Sequence, residues 1–152
     1  MLEIINSKIQ NAKFRIREIA QDDWYDVCAL LSNSISPFMP NQSDFEDIWT
    51  SFFMQKNVYA VVCENSKNDV VGYASIMVQT KIRGGRQGHI EDVVVNKTYR
   101  NQGIGTFLIK NLIDCAHQKR CYRIILETND ENKRFYFNLG FEYAGSALKF
   151  TD

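Results

Sequence analysis

The feature that most constrains this chain is a buried strand that runs through a glycine-containing loop directly into a long helix. Residues 90–95 are rich in β-branched side chains, which is typical of a strand. Gly103 opens the helix, whose apolar stripe continues at helical spacing to about Lys119, and residues 122–126 read as a second strand. A strand, a helix and a strand in this order predict a right-handed crossover between two parallel strands. The chain must therefore contain a sheet with at least one parallel pair.

The rest of the chain predicts a mixed α/β (α+β) fold, in which a central twisted mixed sheet is flanked by about four helices. The expected order is strand, two helices, three strands, helix, strand, helix and strand. Further strands are predicted at 14–19, 58–64 and 70–79, further helices after Asp22, from Ser43 or Asp44, and over 132–139, and a final strand or extended tail over 141–150. The second helix carries an aromatic stripe, which we interpret as core packing: Phe45, Ile48, Trp49, Phe52 and Phe53.

Length and charge narrow the class of protein. The 152 residues predict one domain over 1–152, since a chain of this size builds a single core. Lys plus Arg number 18 and Asp plus Glu number 18, so the formal net charge is zero. Proteins that bind nucleic acid or anionic membranes usually carry a basic excess, so neither partner is expected. No window approaches the run of about 18 apolar residues that a membrane helix needs.

The compartment is predicted from the N-terminus and the cysteines. Residues 1–13 mix polar and charged side chains with apolar ones, which is unlike the unbroken core of a secretory signal. The cysteines show no C-x-x-C spacing and are interpreted as small buried hydrophobes: Cys28, Cys63, Cys115 and Cys121. We therefore expect a cytoplasmic, reduced protein. No Cys, His and Asp cluster has zinc spacing, so no metal is expected.

The loop between strand and helix has the chemistry of an anion site. Glycines let the backbone approach a ligand, and the free N–H groups at a helix N-terminus attract negative charge. Phosphate is the natural guest. The loop lacks the Gly-Lys-Ser/Thr ending of a Walker A motif, and Gly103 and Gly105 do not continue as G-x-G-x-x-G.

Two blocks of sequence carry a family resemblance. Arg100-x-x-Gly103-x-Gly105 after an aliphatic strand resembles the pyrophosphate loop of the GNAT superfamily of acyl-CoA N-acyltransferases. Residues 132–141, with an Asn, a Phe-Tyr pair and then Leu-Gly-Phe, resemble the second conserved block of that family. The match covers about 58–141, and it implies the GNAT fold with a cofactor-binding core at about 88–141. Residues 88–95 and 121–126 also resemble the glucosamine-6-phosphate N-acetyltransferase family.

The resemblance implies that acetyl-CoA is the co-substrate and assigns its contacts. Backbone N–H groups of the loop would hold the pyrophosphate, and the strand before it would pair with the pantetheine and polarise the acetyl carbonyl. Asn132 and Phe135 of the second block complete the cofactor set. The loop and strand residues are Val93, Val94, Val95, Arg100, Asn101, Gln102, Gly103, Ile104, Gly105 and Thr106.

The resemblance also implies the catalytic and acceptor residues. Tyr136 would be the general acid that protonates the leaving CoA thiolate. Glu91 and Asp92 would bind the acceptor amine or take its proton; a structural alternative leaves one carboxylate solvated and pairs the other with Arg100 or Lys97. Adjacent strand residues point to opposite faces, so only one carboxylate faces a given cleft unless a bulge intervenes. Further contacts to the acceptor are expected from two other residues, Arg123 and Glu127.

The sequence therefore predicts an acetyl-CoA-dependent N-acetyltransferase acting directly on a primary amine of a small molecule. Glucosamine 6-phosphate is the first acceptor to consider. Alternatives are a GNAT enzyme acting on a protein, polyamine or antibiotic amine, and a non-catalytic acyl-CoA-binding sensor. The resemblance further implies a homodimer, with a C-terminal strand that two subunits could exchange.

Overall fold

The structure is a computed structural model and describes residues 13–152. The residues 1–12 on which the signal-sequence argument rested lie outside the described part. The strands are Phe14–Glu18 (β1), Val58–Asn65 (β2), Val70–Thr80 (β3), Arg86–Val95 (β4) and Cys121–Leu126 (β5). The α-helices are Trp24–Ser34 (α1), Phe45–Phe53 (α2), Ile104–Gln118 (α3) and Lys133–Asn138 (α4).

The strands form one five-stranded mixed sheet in the order β1-β2-β3-β4-β5. The pairs β1–β2, β2–β3 and β3–β4 are antiparallel, whereas β4 and β5, which α3 connects, are parallel. The predicted parallel pair and the mixed α/β fold with flanking helices are confirmed. The parallel pair positions the site, because the loop from β4 to α3 leaves the sheet at the carboxyl end of β4.

The sheet carries a hydrophobic cluster on each face. On one face α3 packs through Ile104, Leu108 and Leu112, each at most 1% exposed. Gly72 of β3 permits this approach, since a Cβ there would lie 3.1 Å from side-chain carbons of both Ile104 and Leu108. On the other face, α1 packs Val27 and Leu30 against the strands. The two faces thus belong to different helices.

A buried ion-pair network fixes the start of α1 against the sheet edge. Glu64 of β2 is 3% exposed and accepts bonds from Arg15 Nε (2.7 Å) and Arg17 Nε (2.8 Å). Arg17 also holds both oxygens of Asp23 at 2.7 and 2.8 Å. Burial would raise the pKa of Asp23, but hydrogen bonds from Arg17 and from the Ala20 N–H outweigh it and lower that pKa. Asp23, not Asp22 as the sequence suggested, is the residue that precedes α1.

The prediction that the aromatic stripe of α2 is core packing needs correction. None of the residues of α2 is buried, and Phe53 is 67% exposed, so its aromatic stripe is not core. Two residues of the stripe contact the rest of the domain. The ring centroid of Phe45 lies 4.8 Å from that of Trp24, and Phe52 packs on the α1-side cluster. Periodicity identifies the apolar face of a helix and leaves open what covers it.

The C-terminal segment adopts the second of the two predicted alternatives. Residues 141–152 have no regular secondary structure, so the predicted final strand is wrong and the extended tail is right. Its apolar side chains project outwards, with Leu148 97% and Phe150 89% exposed. Over 13–152, none of the helices combines the length and the apolar character needed to span a bilayer.

Candidate active site

The loop that joins β4 to α3 bends through two left-handed residues. Asn101 has φ 62° and Gly103 has φ 85°, a conformation that glycine adopts freely and asparagine tolerates. Gly103 is the N-cap of α3, and no side chain from the described residues bonds to this helix end. The first N–H groups of α3 therefore remain available to an anion, and the helix dipole adds to the attraction.

Contacts behind the loop hold it in place before any ligand binds. Asn65, at the end of β2, donates from Nδ2 to the Tyr99 hydroxyl at 3.0 Å. The Tyr99 ring packs edge-on against Phe14, with centroids 6.1 Å apart. Arg100 Nε donates to the Val95 carbonyl at 3.3 Å. No sequence pattern indicated the Asn65–Tyr99 bond, because Asn65 lies 34 positions away and was interpreted only as a turn residue.

The strands β4 and β5 separate beside this loop. Their pairing ends at Ile90 and Leu126, whereas β4 continues for five more residues to Val95. Within the described residues, the backbone of residues 91–95 on the β5 side therefore has no partner strand. An extended ligand with amide groups could pair with this open edge, as an added strand would.

The first turn of α3 is packed closely against α4. A Cβ at Gly105 would lie 3.2 Å from Phe135 Cζ and 3.9 Å from Val95 Cγ2. A larger residue at position 105 would push α4 away from the loop. The contact of Phe135 with Gly105 thus places α4, and Tyr136 with it, near the carboxyl end of β4.

Tyr136 lies in an aromatic cluster at the edge of the α3-side core. Its side chain is 9% exposed, and its ring meets Phe135 and Phe141 edge-on at centroid distances of 4.9 and 5.8 Å. Burial raises the pKa of Tyr136, so the phenol keeps its proton at neutral pH and can act as a donor.

A β-bulge interrupts β4 at the two predicted acceptor carboxylates. Tyr73 pairs with Val94 and Ser75 pairs with Glu91, so Asp92 and Val93 together face the single residue Ala74. Asp92 has φ 54°, in the left-handed region. The bulge breaks simple alternation, which is the condition under which both carboxylates can serve one cleft.

The sequence of this chain matches a known family over most of its length. The model of the "Acetyltransferase (GNAT) family" matches residues 15–141, which is most of the chain and runs from the second residue of β1 through α4. The chain belongs to the GNAT family. The loop of Arg100, Gly103 and Gly105 and the β4–β5 separation lie within the matched range.

Named relatives of this GNAT chain come from several eukaryotes. It is 45% identical over 86 residues to a glucosamine 6-phosphate N-acetyltransferase of Trypanosoma brucei brucei, covering 55% of this chain and 58% of the relative. It is 40% identical over 80 residues to glucosamine 6-phosphate N-acetyltransferase 1 of Dictyostelium discoideum, covering 51% of each chain. The alignments thus span just over half the length of these relatives.

Solved structures match over a larger share of the chain. A Trypanosoma brucei acetyltransferase superposes with a TM-score of 0.83 at 28% identity, covering 91% of this chain and 99% of that one. Glucosamine-6-phosphate N-acetyltransferase from Arabidopsis thaliana gives 0.81 at 25% identity, with the same coverage. The GNAT fold expected from the resemblance is confirmed.

One face of the sheet gathers the polar residues predicted on the acceptor side. Arg123 of β5 pairs with Gln87 of β4, and its Nε donates to Gln87 Oε1 at 2.5 Å. Gln87, His89 and Glu91 alternate along β4 and so point to that same face. Arg123 and Glu91 are therefore about four residues, or roughly 13 Å, apart on a common surface. They can meet opposite ends of one small ligand.

His89 is a neighbour of Glu91 to which the sequence interpretation assigned no role. Its Nδ1 lies 3.6 Å from Glu91 Oε1, so the imidazole neighbours the carboxylate that is 54% exposed. Among the described residues, neither carboxylate forms an ion pair with the predicted alternative partners, Arg100 and Lys97, and Arg100 Nε donates to the Val95 carbonyl instead. The i, i+2 spacing of His89 and Glu91 on a strand was the signal that could have identified the pair.

The remaining predicted residues lie around the point where the strands separate. Glu127 directly follows Leu126, the partner of Ile90, and so lies where β5 separates from β4. Asn132 precedes α4, where its N–H donates to Asn129 Oδ1 at 3.0 Å. Within residues 13–152 no cluster of three or more candidate metal ligands occurs.

Proposed function

We propose that this chain is an acetyl-CoA-dependent N-acetyltransferase that moves acetyl directly onto a primary amine. The observation that supports it most is the continuity of three features along one path. An open β4 edge leads into a left-handed glycine loop, and the loop leads into the uncapped N-terminus of α3. A pantetheine amide chain followed by a pyrophosphate has this same order of chemical groups.

Each cofactor contact follows from that path. The N–H groups of residues 101–106 would bind the pyrophosphate, and Val93–Val95 would pair with the pantetheine. A backbone N–H of this edge would polarise the thioester carbonyl as the oxyanion develops. Holding amine and thioester side by side supplies much of the rate, because the reaction becomes effectively intramolecular.

The transfer step needs one proton donor and one proton acceptor. The amine nitrogen forms a bond to the carbonyl carbon, and the carbon–sulfur bond breaks. Tyr136 gives its phenolic proton to the departing sulfur, so CoA leaves as the thiol. Glu91 or Asp92, directly or through a water, takes the proton that the amine loses. The products are the N-acetyl amine and CoA.

Glucosamine 6-phosphate is the acceptor we propose. Two relatives named glucosamine 6-phosphate N-acetyltransferase are 45% and 40% identical to this chain over the aligned regions. The shared face of the sheet gives the proposal a physical basis, since it has carboxylates at the bulge and the guanidinium of Arg123 roughly 13 Å away. The carboxylates would receive the amine, and Arg123 would receive the phosphate at the other end of the sugar. Glu127 would orient the amine through its backbone carbonyl.

The test is thiol release from acetyl-CoA against a panel of amines. Glucosamine 6-phosphate, glucosamine, spermidine, an aminoglycoside and a lysine peptide are compared at equal concentration. We expect the phosphosugar to give the highest kcat/KM. Activity on another amine alone would keep the enzyme class and reject this acceptor, and no transfer to any amine with intact acetyl-CoA binding would favour an acyl-CoA sensor.

A variant separates phosphate recognition from the rest of the site. Arg123→Gln should raise KM for glucosamine 6-phosphate roughly tenfold, because a charge-assisted bond to phosphate is lost. The same variant should leave KM for glucosamine unchanged. Equal effects on both sugars would remove Arg123 from phosphate binding.

We also propose a homodimer in which the C-terminal tail contacts a second copy. Leu148 and Phe150 are almost fully exposed, and β5 has a neighbour strand only on the β4 side among the described residues. Adding the tail of another copy to that edge would bury both features. Sedimentation should give a dimer for the native chain and a monomer for Leu148→Asp/Phe150→Asp. A native monomer at micromolar concentration would contradict the proposal.

The remaining expectations concern extent and compartment. We propose that residues 1–152 act as one acetyltransferase domain with its cofactor-binding core at about 88–141. We propose a cytoplasmic location, which the four free cysteines support. Fractionation with a compartment marker is the corresponding measurement.

A further inference from the structure

A buried glutamine lies beside Arg123 where β4 and β5 begin to pair. Gln87 is 6% exposed, although long polar side chains of this type are mostly exposed. It is the register partner of Arg123 in the parallel ladder, so the two side chains point to the same face of the sheet. Gln87 therefore lies on the face that also carries His89 and Glu91.

One hydrogen bond joins the two side chains. Arg123 Nε donates to Gln87 Oε1 at 2.5 Å. A guanidinium donates from Nε and from both Nη groups, and this bond uses only Nε. Within residues 13–152, no acceptor bonds to the Nη groups of Arg123, and no carboxylate forms an ion pair with it. The Nη groups are therefore available to an anion.

The burial of Gln87 restricts where the guanidinium can lie. A buried carbonyl oxygen without a donor costs free energy, so Gln87 Oε1 favours the conformers of Arg123 that reach it. The guanidinium carbon of Arg123 also lies 5.5 Å from the centroid of the Tyr122 ring, whose face attracts a cation. Arg123 is itself exposed. These two contacts reduce the side-chain entropy that Arg123 would lose on binding a ligand.

The bond at Nε leaves the part of the guanidinium that suits a phosphate. The group is planar, and Nη1 and Nη2 together can donate to two oxygens of one phosphate. Because Nε is bonded to Gln87, these two nitrogens keep a constant position relative to β4. Glu91 lies on the same face roughly 13 Å away, so this position sets the distance between the phosphate and the amine of one ligand.

We propose that Gln87 is a positioning residue for phosphate recognition, because its buried amide oxygen holds the Arg123 guanidinium with both Nη groups directed to the phosphate of the acceptor. This inference rests on the proposed function and names the group that makes Arg123 selective for a phosphosugar. Gln87 acts through Arg123 and does not touch the ligand. It lies where β4 pairs with both neighbouring strands, apart from the cofactor loop that follows Val95.

The experiment uses a variant that keeps the size of Gln87 and removes its acceptor. Methionine is flexible and its sulfur accepts only weakly, so Gln87→Met keeps the sheet packed while the bond to Arg123 is lost. KM and kcat are measured for glucosamine 6-phosphate and for glucosamine at saturating acetyl-CoA, with thermal unfolding in parallel. The matched control is Gln118→Met, which changes an exposed glutamine at the last position of α3.

We expect Gln87→Met to raise KM for glucosamine 6-phosphate about fivefold, because the hydrogen bond that orients Arg123 is lost. KM for glucosamine should not change, and the control should keep both native values. In the Arg123→Gln background, Gln87→Met should have no further effect, since the two residues act in series. A second variant, Gln87→Glu, keeps an acceptor for Arg123 Nε but brings a negative charge towards the phosphate. It should raise the same KM by about fivefold or more.

A bond that serves only to join β4 to β5 would give a different result. It would lower the melting temperature of Gln87→Met and change the kinetics of both sugars equally, which would overturn the proposal. An unchanged KM for glucosamine 6-phosphate in Gln87→Met, beside a raised KM in Arg123→Gln, would overturn it as well. If Arg123→Gln also left that KM unchanged, the phosphate role of Arg123 in the proposed function would fail, and this inference with it.

Discussion

The two halves of β4 differ in their pairing and in their backbone geometry. Arg86–Ile90 pairs on both sides and is an ordinary interior strand, whereas 91–95 pairs only with β3 and contains a bulge. The first half contributes side chains to the face of the sheet. The second half offers its backbone, both to the open edge and to the loop that follows. In the function we propose, the cofactor uses the backbone of this strand and the acceptor uses its side chains.

The largest effect on activity is expected from removing the proposed proton donor. Tyr136→Phe should lower kcat about 100-fold, because a positioned general acid contributes on this scale. The acetyl-CoA Kd should not change. Because burial raises the pKa of Tyr136, activity should stay constant as pH rises through neutrality and fall only above the ordinary range of a phenol, near pH 10. The control is Tyr25→Phe on α1, which is 59% exposed. A kcat within twofold of native would exclude Tyr136 as the acid.

Cofactor binding through backbone groups is tested with two glycines of the same conformation. Gly103 has φ 85° and Gly84, in the β3–β4 turn, has φ 89°. Changing either to Ala should cost about 1 kcal/mol in the free energy of unfolding, since both would force a Cβ into the left-handed region. Only Gly103→Ala should also weaken acetyl-CoA binding, by roughly 10-fold or more, because loop N–H groups lose their alignment. Calorimetry measures the acetyl-CoA Kd, and thermal unfolding measures the change in stability. Equal acetyl-CoA Kd values for the two variants would exclude a specific role of Gly103 in cofactor binding.

The side chains of β4 that would meet the acceptor are tested at the bulge. Glu91→Gln should raise the acceptor KM about 10-fold, since a bond to an ammonium loses its charge. Acetyl-CoA affinity should be unaffected because the open edge uses backbone groups. If Glu91→Gln weakened both ligands equally, acceptor and cofactor binding would not divide along β4.

The smallest effect is expected at the neighbour of Glu91. His89→Gln should raise the acceptor KM about two- to threefold, because a partly exposed pair with a carboxylate contributes little. His117→Gln is the matched control, since His117 lies on the exposed face of α3 and is the other histidine of the chain. Steady-state kinetics in parallel would show whether the effect is specific to His89. Identical values for the two variants would assign His89 no role.

What the sequence predicted follows the same division. The loop of Arg100, Gly103 and Gly105 could be predicted because backbone conformation depends on residue type over a few positions. The crossover from β4 to β5 was predicted for a similar reason, since strand and helix periods change within one segment.

The acceptor side could not be predicted to the same depth. The bulge at Asp92 depends on the register between β3 and β4, which contacts between the two strands set. Asn65 and Tyr99 meet across 34 positions, which no local pattern encodes. The assignment of the α2 aromatic stripe to the core was wrong. Amphipathic spacing identifies the apolar face of a helix, but it is equally compatible with a surface that a tail, a partner or a substrate covers.

The left-handed backbone at Asp92 limits how this site could be redesigned. Only glycine, asparagine and aspartate adopt that conformation readily, so few replacements at this position would keep the bulge. Glu91 has extended-strand freedom and accepts many side chains. A directed-evolution library for new amine acceptors should therefore vary position 91 and its face, including 89 and 123, and keep position 92 nearly fixed. The strand would then serve as a template with one constant and several variable positions.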